Sequence, residues 1–249
     1  MLRHVEVFGG VGSISCIHEG WNFEYRRNKR HNIHKVDGVK ILLDHLVRVV
    51  PGGQVTIEPT CSSFLRFVSS ATSRRTEENI DGDSSAKFVR CGNATCETIG
   101  LVIDMCEWLF IEWVLENPLN SLLFKYPPIQ QRLQRSPRLV RIVIYLRTFG
   151  GLHAKPLELH GSPMLLYLLE IHKRAWHATK GRYTIPTMKK GARWVSGQKK
   201  AMANSSAYPA PLGTSIRFAH QCWLDTCVHE DALCTSVLAT HGEQAKRLF

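Results

Sequence analysis

The sequence predicts an α/β protein with a mostly parallel sheet covered by helices on both faces. Three observations predict it. Short β-rich runs alternate with stretches of helical apolar spacing, each strand candidate runs into turn chemistry, and the size and composition are those of an ordinary globular chain. The 249 residues are 44% apolar, 21% charged and 9% aromatic, which excludes disordered, collagen-like and coiled-coil classes. That length supports one large domain or two small ones and a sizeable core.

The first unit is His4 to Phe8, a β-rich run that breaks into Gly9-Gly10-Val11-Gly12, followed by Ser13 to Glu19 as a helix closed by Gly20. The second is Val39 to Val50, with helical spacing of Leu42, Leu43, Leu46, Val49 and Val50. Pro51-Gly52-Gly53 then turns the chain into a strand, Gln54 to Glu58, that ends in Pro59-Thr60-Cys61-Ser62-Ser63-Phe64. Thr72 to Ala94 is polar and reads as a loop. Apolar residues at 96, 99, 103, 106, 110 and 113 then mark one face of a long helix, before Val114-Leu115 carries the chain into Glu116-Asn117-Pro118. Leu139 to Leu146 is β-branched enough for a strand, Phe149-Gly150-Gly151 follows it, and Lys155 to His160 is a further strand. Pro209 and Pro211 precede a closing helix from about Thr214 to Asp225.

The formal charge is +11, from 32 Lys and Arg against 21 Asp and Glu, and points to an anionic partner. His172 to Lys200 holds nine Lys and Arg and no acid, so the rest of the chain carries only +2. Trp176, Tyr183 and Trp194 interleave with these cations, a combination suited to phosphate contact and base stacking. A solvated basic loop has the same composition. The amino terminus lacks a secretory pattern, and charge interrupts every apolar stretch, so a soluble intracellular protein is expected, nuclear if the source is eukaryotic. Eight cysteines with no compact framework read as reduced thiols. Cys91-x4-Cys96 and Cys222-x4-Cys227 lack the paired spacing of zinc ligands, and no metal is expected.

Glycines after a first strand let backbone N–H groups approach a ligand, and Gly10-x-Gly12-x-x-Ser15 approximates a dinucleotide fingerprint; a tight turn explains the same residues. Cys61, between a strand end and a helix start, is the best nucleophile candidate, because a helix dipole there stabilises a thiolate. Its alternative is a small buried hydrophobe. Glu116 and Asn117 end a strand of the same sheet, which places a carboxylate across a crevice from Cys61, although a Glu-Asn turn capping the next helix also fits.

Taken in order, Val7-Phe8-Gly9-Gly10-Val11-Gly12, Pro59-Thr60-Cys61-Ser62-Ser63-Phe64 and Glu116-Asn117-Pro118 resemble the cofactor, cysteine and glutamate loops of cytosine carbon-5 DNA methyltransferases. Phe149-Gly150-Gly151-Leu152-His153-Ala154-Lys155 is similar to that family's later aromatic-Gly-x-Pro-Gln-x-Arg segment, and Leu212-Gly213-Thr214-Ser215-Ile216 more faintly to its Gly-Asn segment. The resemblance covers about residues 4 to 160. It implies a Rossmann-like, S-adenosylmethionine-dependent methyltransferase fold, with a core over 1–169, a basic loop or reduced recognition region over 170–207, and a C-terminal helix and tail over 208–249.

It also implies roles. Cys61 adds to carbon 6 of cytosine and makes carbon 5 nucleophilic, Glu116 engages ring nitrogen 3 and the amino group, and Asn117 and Lys155 complete the catalytic set. Phe8, Gly9, Gly10, Gly12, Asn32, Asp37 and Pro59 would line S-adenosylmethionine. Nucleic acid, DNA before RNA, would be the partner, its target base flipped from the stack, with Lys180, Arg182, Lys189, Lys190, Arg193, Lys199 and Lys200 on the phosphates.

The chain departs from the family at Thr60, Ser62, His153 and Leu157, and Glu24 stands early for the acid that holds the ribose hydroxyls. Those departures motivate an alternative, a methyltransferase-like nucleic-acid-binding module without chemistry. A nicotinamide dinucleotide site is a third reading, and it leaves the Cys61 and Glu116 loops unexplained.

Overall fold

The computed structural model describes residues 1–9, 12, 14–18, 20–25, 27–65, 75–151, 155–178 and 208–227. Its centre is a six-stranded sheet in the order β2-β1-β3-β4-β6-β5. The strands are β1 (Leu2–Val7), β2 (Trp21–Phe23), β3 (Val49–Ile57), β4 (Glu112–Pro118), β5 (Val140–Tyr145) and β6 (Pro156–Gly161). The first four run parallel, and β6 is antiparallel to both β4 and β5. This is the mostly parallel α/β class expected, in a Rossmann-like arrangement. From β1 the chain moves outward to β2 and then returns to β3 on the other side. The switch point, where open α/β sheets bind their ligands, therefore lies between the carboxyl ends of β1 and β3.

Period-two alternation sorts the central strands into two faces. Val5, Val7, Val55, Ile57, Trp113 and Leu115 belong to one buried cluster with Leu42 and Leu46 of α1 (Val36–Leu46), Ile99 and Ile103 of α2 (Lys87–Trp108), and Ile129 and Leu133 of α3 (Pro127–Arg135). Each such buried aliphatic side chain contributes about 1.5–3 kcal/mol relative to exposure. The opposite face packs Val114, Ile142, Ile144, Leu157 and Leu159 against Leu165 and Leu168 of α4 (Leu165–Ala178) and against Leu212, Ile216 and Ala219. Those last three lie on α5, a helix over residues 210–227. On this second face the middle of the sheet is polar: His4, Glu6, Gln54, Thr56, Glu112 and Glu116 are all buried.

Several elements differ from their sequence expectation; the closing helix, for one, begins at residue 210 and takes Pro211 into its first turn. Residues 14–18 form hydrogen-bonded turns instead of a helix over Ser13 to Glu19, because the Glu6 carboxylate accepts from the backbone N–H of Ser15 at 2.6 Å and pins the segment under β1. Helix α1 ends at Leu46, and Val49 and Val50 belong to β3. Pro51-Gly52-Gly53 does not separate two elements but bulges within that strand, where pairing jumps from Leu2–Val49 to His4–Gln54. Helix α2 begins at Lys87 and ends at Trp108. Trp113, which continued its apolar spacing, is a β4 side chain paired with Val55. The polar stretch Thr72 to Ala94 thus contains the first turns of α2, and its Arg75 is only 1% exposed.

Candidate functional site

The parallel strands end level with one another. Val7 pairs with Phe23 and with Ile57, and Ile57 pairs with Leu115, so Glu24, Phe8, Glu58 and Glu116 form a row along one edge of the sheet. The alternation that buries Ile57 and Leu115 on one face turns Glu58 and Glu116 to the other. There they border a cavity of about 10 Å³, shared with Thr56, Val114, Leu157 and Tyr208 and large enough for about one water molecule. The Tyr208 hydroxyl donates a hydrogen bond to Glu116 Oε2. Glu116 Oε1 and Glu58 Oε1 are buried with no hydrogen-bond partner among the described residues.

Cys61 opens a three-residue 3-10 turn, Cys61–Ser63, directly after the β3 end. That turn is too short to supply the helix dipole expected for a thiolate. Burial first, and then the neighbouring Glu116, push the Cys61 thiol up, while Lys155 acts in the opposite sense. Burial likewise raises the Glu116 carboxyl against the effects of Lys155 and of the Tyr208 hydrogen bond. Glu58 is raised well above its usual range by burial, with Glu6 and Glu116 adding to it and Lys155 opposing. One ammonium thus serves the thiol and both carboxyls. It lies 5.6 Å from the Tyr208 ring centroid, on a residue held at φ 26°. Phe8, at the switch point, also has a left-handed backbone, φ 66°, which is a strained conformation for a bulky side chain.

The structure therefore brings Cys61, Glu116 and Lys155 together, and it gives Asn117 a different task. Asn117 shares the face of Leu115, is fully buried, and its amide donates to the Pro59 carbonyl at 3.3 Å. It ties the glutamate strand to the cysteine loop, and Pro59 is its anchor point. The cysteine loop is fixed a second time by Arg75. Its Nε donates to the Ser63 carbonyl at 2.8 Å and its Nη2 to Asn93 Oδ1 at 2.8 Å, with Nη1 on the Ile80 carbonyl. The guanidinium also lies 4.0 Å over the Phe64 ring.

Around the first loop, Gly9 packs directly on the Glu6 carboxylate, and a Cβ there would meet it at 2.2 Å. Gly12, at φ 71°, has Asn22 Nδ2 at 2.6 Å from the same hypothetical atom. Glu6 accepts from the N–H groups of Ile14 and Ser15. Those are donors a pyrophosphate would require, and a buried carboxylate already holds them, which disfavours a dinucleotide. Asn32 and Asp37 line a separate cleft with Lys29, Lys35 and Lys40. Gly10, Leu152, His153 and Ala154, and the cations Lys180, Arg182, Lys189, Lys190, Arg193, Lys199 and Lys200, lie outside the described residues. Leu212 and Ile216 pack into the second core cluster, on the first turns of α5.

Sequence reasoning missed Glu58, Tyr208 and Arg75. A charged residue closing the apolar run Val55-Thr56-Ile57 was the available signal for Glu58. No local signal marks Tyr208, whose partner is 92 residues away. Glu24, read as early for a ribose-binding acid, directly follows the last residue of β2, because that strand is only Trp21–Phe23.

No helix of the described residues is long and apolar enough to cross a membrane. No family profile matches the sequence, and no curated protein matches it. Among solved structures the chain is similar to the Entamoeba histolytica methyltransferase EhMeth, at 12% identity with a TM-score of 0.42. The likeness covers 65% of this chain and 52% of that one, so this chain spans about half the length of that protein.

Proposed function

We propose that the chain is a methyltransferase acting on carbon 5 of cytosine in nucleic acid, DNA before RNA, with Cys61 as nucleophile and Glu116 as the acid. The observation that carries this reading is that Cys61, Glu116 and Lys155 lie at one edge of the sheet within electrostatic reach of one another, in the loops whose sequences resemble that family.

The first loop suits S-adenosylmethionine better than a nucleotide diphosphate. The Glu6 carboxylate satisfies its N–H groups and would repel phosphate, whereas a phosphate-free cation meets favourable charge there. Phe8, Gly9 and Gly12 would line the cofactor and Glu24 would take the ribose hydroxyls. Bound there, the cofactor supplies an electrophilic methyl on a sulfonium.

The remaining chemistry belongs to the chain. Burial favours the protonated form of the Glu116 carboxyl, the direction that donation to ring nitrogen 3 requires. That protonation makes carbon 6 electrophilic. The Cys61 thiol would give up its proton to solvent and its sulfur would bond to carbon 6; electron density moves to carbon 5, which would take the methyl as the sulfonium sulfur–methyl bond breaks and leaves a neutral thioether. Loss of the carbon 5 proton to a base then restores the double bond and expels the sulfur. Lys155 offsets the burial of the thiolate during addition. Tyr208 holds the Glu116 oxygen a base would approach, so it must yield or share that carboxyl when a base enters.

The Tyr208 contact and the raised Cys61 thiol equally favour the second reading, a binding module in which the chemistry is silent. Transfer of labelled methyl from S-adenosylmethionine to a cytosine-containing oligonucleotide, and a covalent adduct with a 5-fluorocytosine oligonucleotide, separate the two. Both signals in the wild type and neither in Cys61→Ala are the expected result. Wild type indistinguishable from Cys61→Ala would remove the enzymatic reading, and saturable oligonucleotide binding without S-adenosylmethionine binding would establish the module.

A further inference from the structure

Residues 25–40 hold six cations (Arg26, Arg27, Lys29, Arg30, Lys35 and Lys40) against one carboxylate, Asp37. The chain outside 172–200 is only +2, so this excess of five leaves the rest of that body at −3. Four of these cations, Lys29, Arg30, Lys35 and Lys40, are exposed and line one open cleft of about 420 Å³ at the start of α1. None of the four forms an ion pair among the described residues. Four cations against the single carboxylate Asp37 in one cleft cost stability through mutual repulsion, and an anionic ligand relieves that cost.

His34, next in the chain to Lys35, lines another cleft, of about 570 Å³, together with Lys87, Phe88, Thr60 and Ser63. Thr60 and Ser63 flank Cys61. On its other side Arg30 also borders a third cleft with Trp21 and His45, whose rings stack at 3.5 Å. Close by, the Lys29 ammonium sits 4.2 Å over the exposed ring of Tyr25.

We propose that this basic track, running from the Cys61 loop across the start of α1, binds the sugar-phosphate backbone of a nucleic acid. The spacing of the cations decides between a polymer and a single phosphate. A single phosphate is held by donors that converge on one point, whereas these four cations are exposed around an open cleft of about 420 Å³, and Arg30 also borders a second cleft. Several phosphates of one strand match that layout, and the exposed Tyr25 ring beside Lys29 suits stacking of a base. The track rests on the nucleic-acid partner of the proposed function but not on its chemistry.

The test is fluorescence anisotropy of a labelled cytosine-containing oligonucleotide, titrated with the full chain over a series of salt concentrations. Three proteins are compared: wild type, Lys29→Ala/Lys35→Ala/Lys40→Ala, and the charge-matched control Lys125→Ala/Arg135→Ala/Arg141→Ala. Each lost phosphate contact lowers the slope of log affinity against log salt by about 0.7–0.9. The track variant should lose about two slope units and at least about tenfold in affinity at low salt, with the control close to wild type. Equal losses in the two variants, or no loss in the track variant, would overturn the proposal. Cytidine monophosphate binding as tightly as the oligonucleotide, and lost in the track variant, would also overturn it in favour of a small phosphorylated ligand. Adduct formation at Cys61 is scored separately, so a silent wild type with an intact track effect condemns only the chemistry.

Discussion

Arg75 is the residue whose loss should uncouple the cysteine loop from the rest of the fold. Its guanidinium is 1% exposed and donates to the carbonyls of Ser63 and Ile80 and to Asn93 on α2, while stacking over Phe64. Hydrogen bonds from a charged donor contribute about 1.5–3 kcal/mol each, and a desolvated cation–ring contact about 2 kcal/mol. Replacement by methionine keeps the apolar volume and removes all of these, but it also relieves the desolvation of a buried cation, which offsets part of the loss. A net destabilisation of about 3–5 kcal/mol follows. Arg75→Lys keeps the charge and reaches fewer acceptors, so it should lose about half as much. Urea denaturation followed by tryptophan fluorescence gives the global figure. Alkylation of Cys61 by iodoacetamide, read by mass spectrometry against Cys222 as internal reference, gives the local one and should accelerate in both variants. A Met variant within about 1 kcal/mol of wild type, with Cys61 alkylation unchanged, would refute the reasoning, since three satisfied acceptors cannot be orphaned at no cost.

Three further outcomes follow from the electrostatics of the second face. Tyr208→Phe removes the hydrogen bond that holds the Glu116 carboxyl down, so Glu116 should titrate at higher pH than in wild type by difference infrared spectroscopy, and an unchanged or lower value would contradict the contact. Burial raises the Glu58 carboxyl, so the folded state prefers it protonated: this contribution is fully present below the ordinary carboxylate range and is lost as pH rises from there through the raised value of the folded state. Glu58→Gln should therefore be as stable as wild type or more so at pH 8, with its advantage vanishing in acid, and a variant less stable at pH 8 would reverse that assignment. His18 is lowered to about 4, chiefly by burial. The unfolded chain thus takes up its proton first as pH falls below about 6.5, and stability should drop by up to about 3 kcal/mol between there and pH 4. His18→Gln should flatten that acid limb in denaturation curves, and an identical limb would show that the proton is bound elsewhere.

Much of the architecture was legible in the residues, because β3, β4 and β5 carry β-branched runs and the ends of β1, β3 and β4 lie beside Gly, Pro or Asn, while α/β alternation restricts the connections to a few. The loops bearing Cys61 and Glu116 were found for the same reason: strand ends are local features. What misled was periodicity where two elements shared one phase. Trp113 continued the spacing of α2 yet is a strand residue, and Val49 and Val50 extended α1 on paper although the chain had already entered β3. Apolar spacing records which side faces the core, and two elements packed on the same core can carry one pattern across their junction.

The sequence by itself determined the α/β alternation around β1, β3, β4, β5 and β6, the charge distribution and the residue types at the strand ends, since these depend on neighbours within a turn or two; β2, α3 and α4 came only with the structure. Only the tertiary structure decided that Glu58 stands beside Glu116, that Tyr208 closes over them, and that Glu6 takes the N–H groups of the first loop. It decided, too, that Lys29, Arg30, Lys35 and Lys40 line one open cleft at the start of α1. The physical reason is common to all of these. Strand register sets which side chains share a face, and register is fixed by packing between segments far apart in the chain. The pKa of a carboxyl then follows from the burial and the charges that this packing places around it.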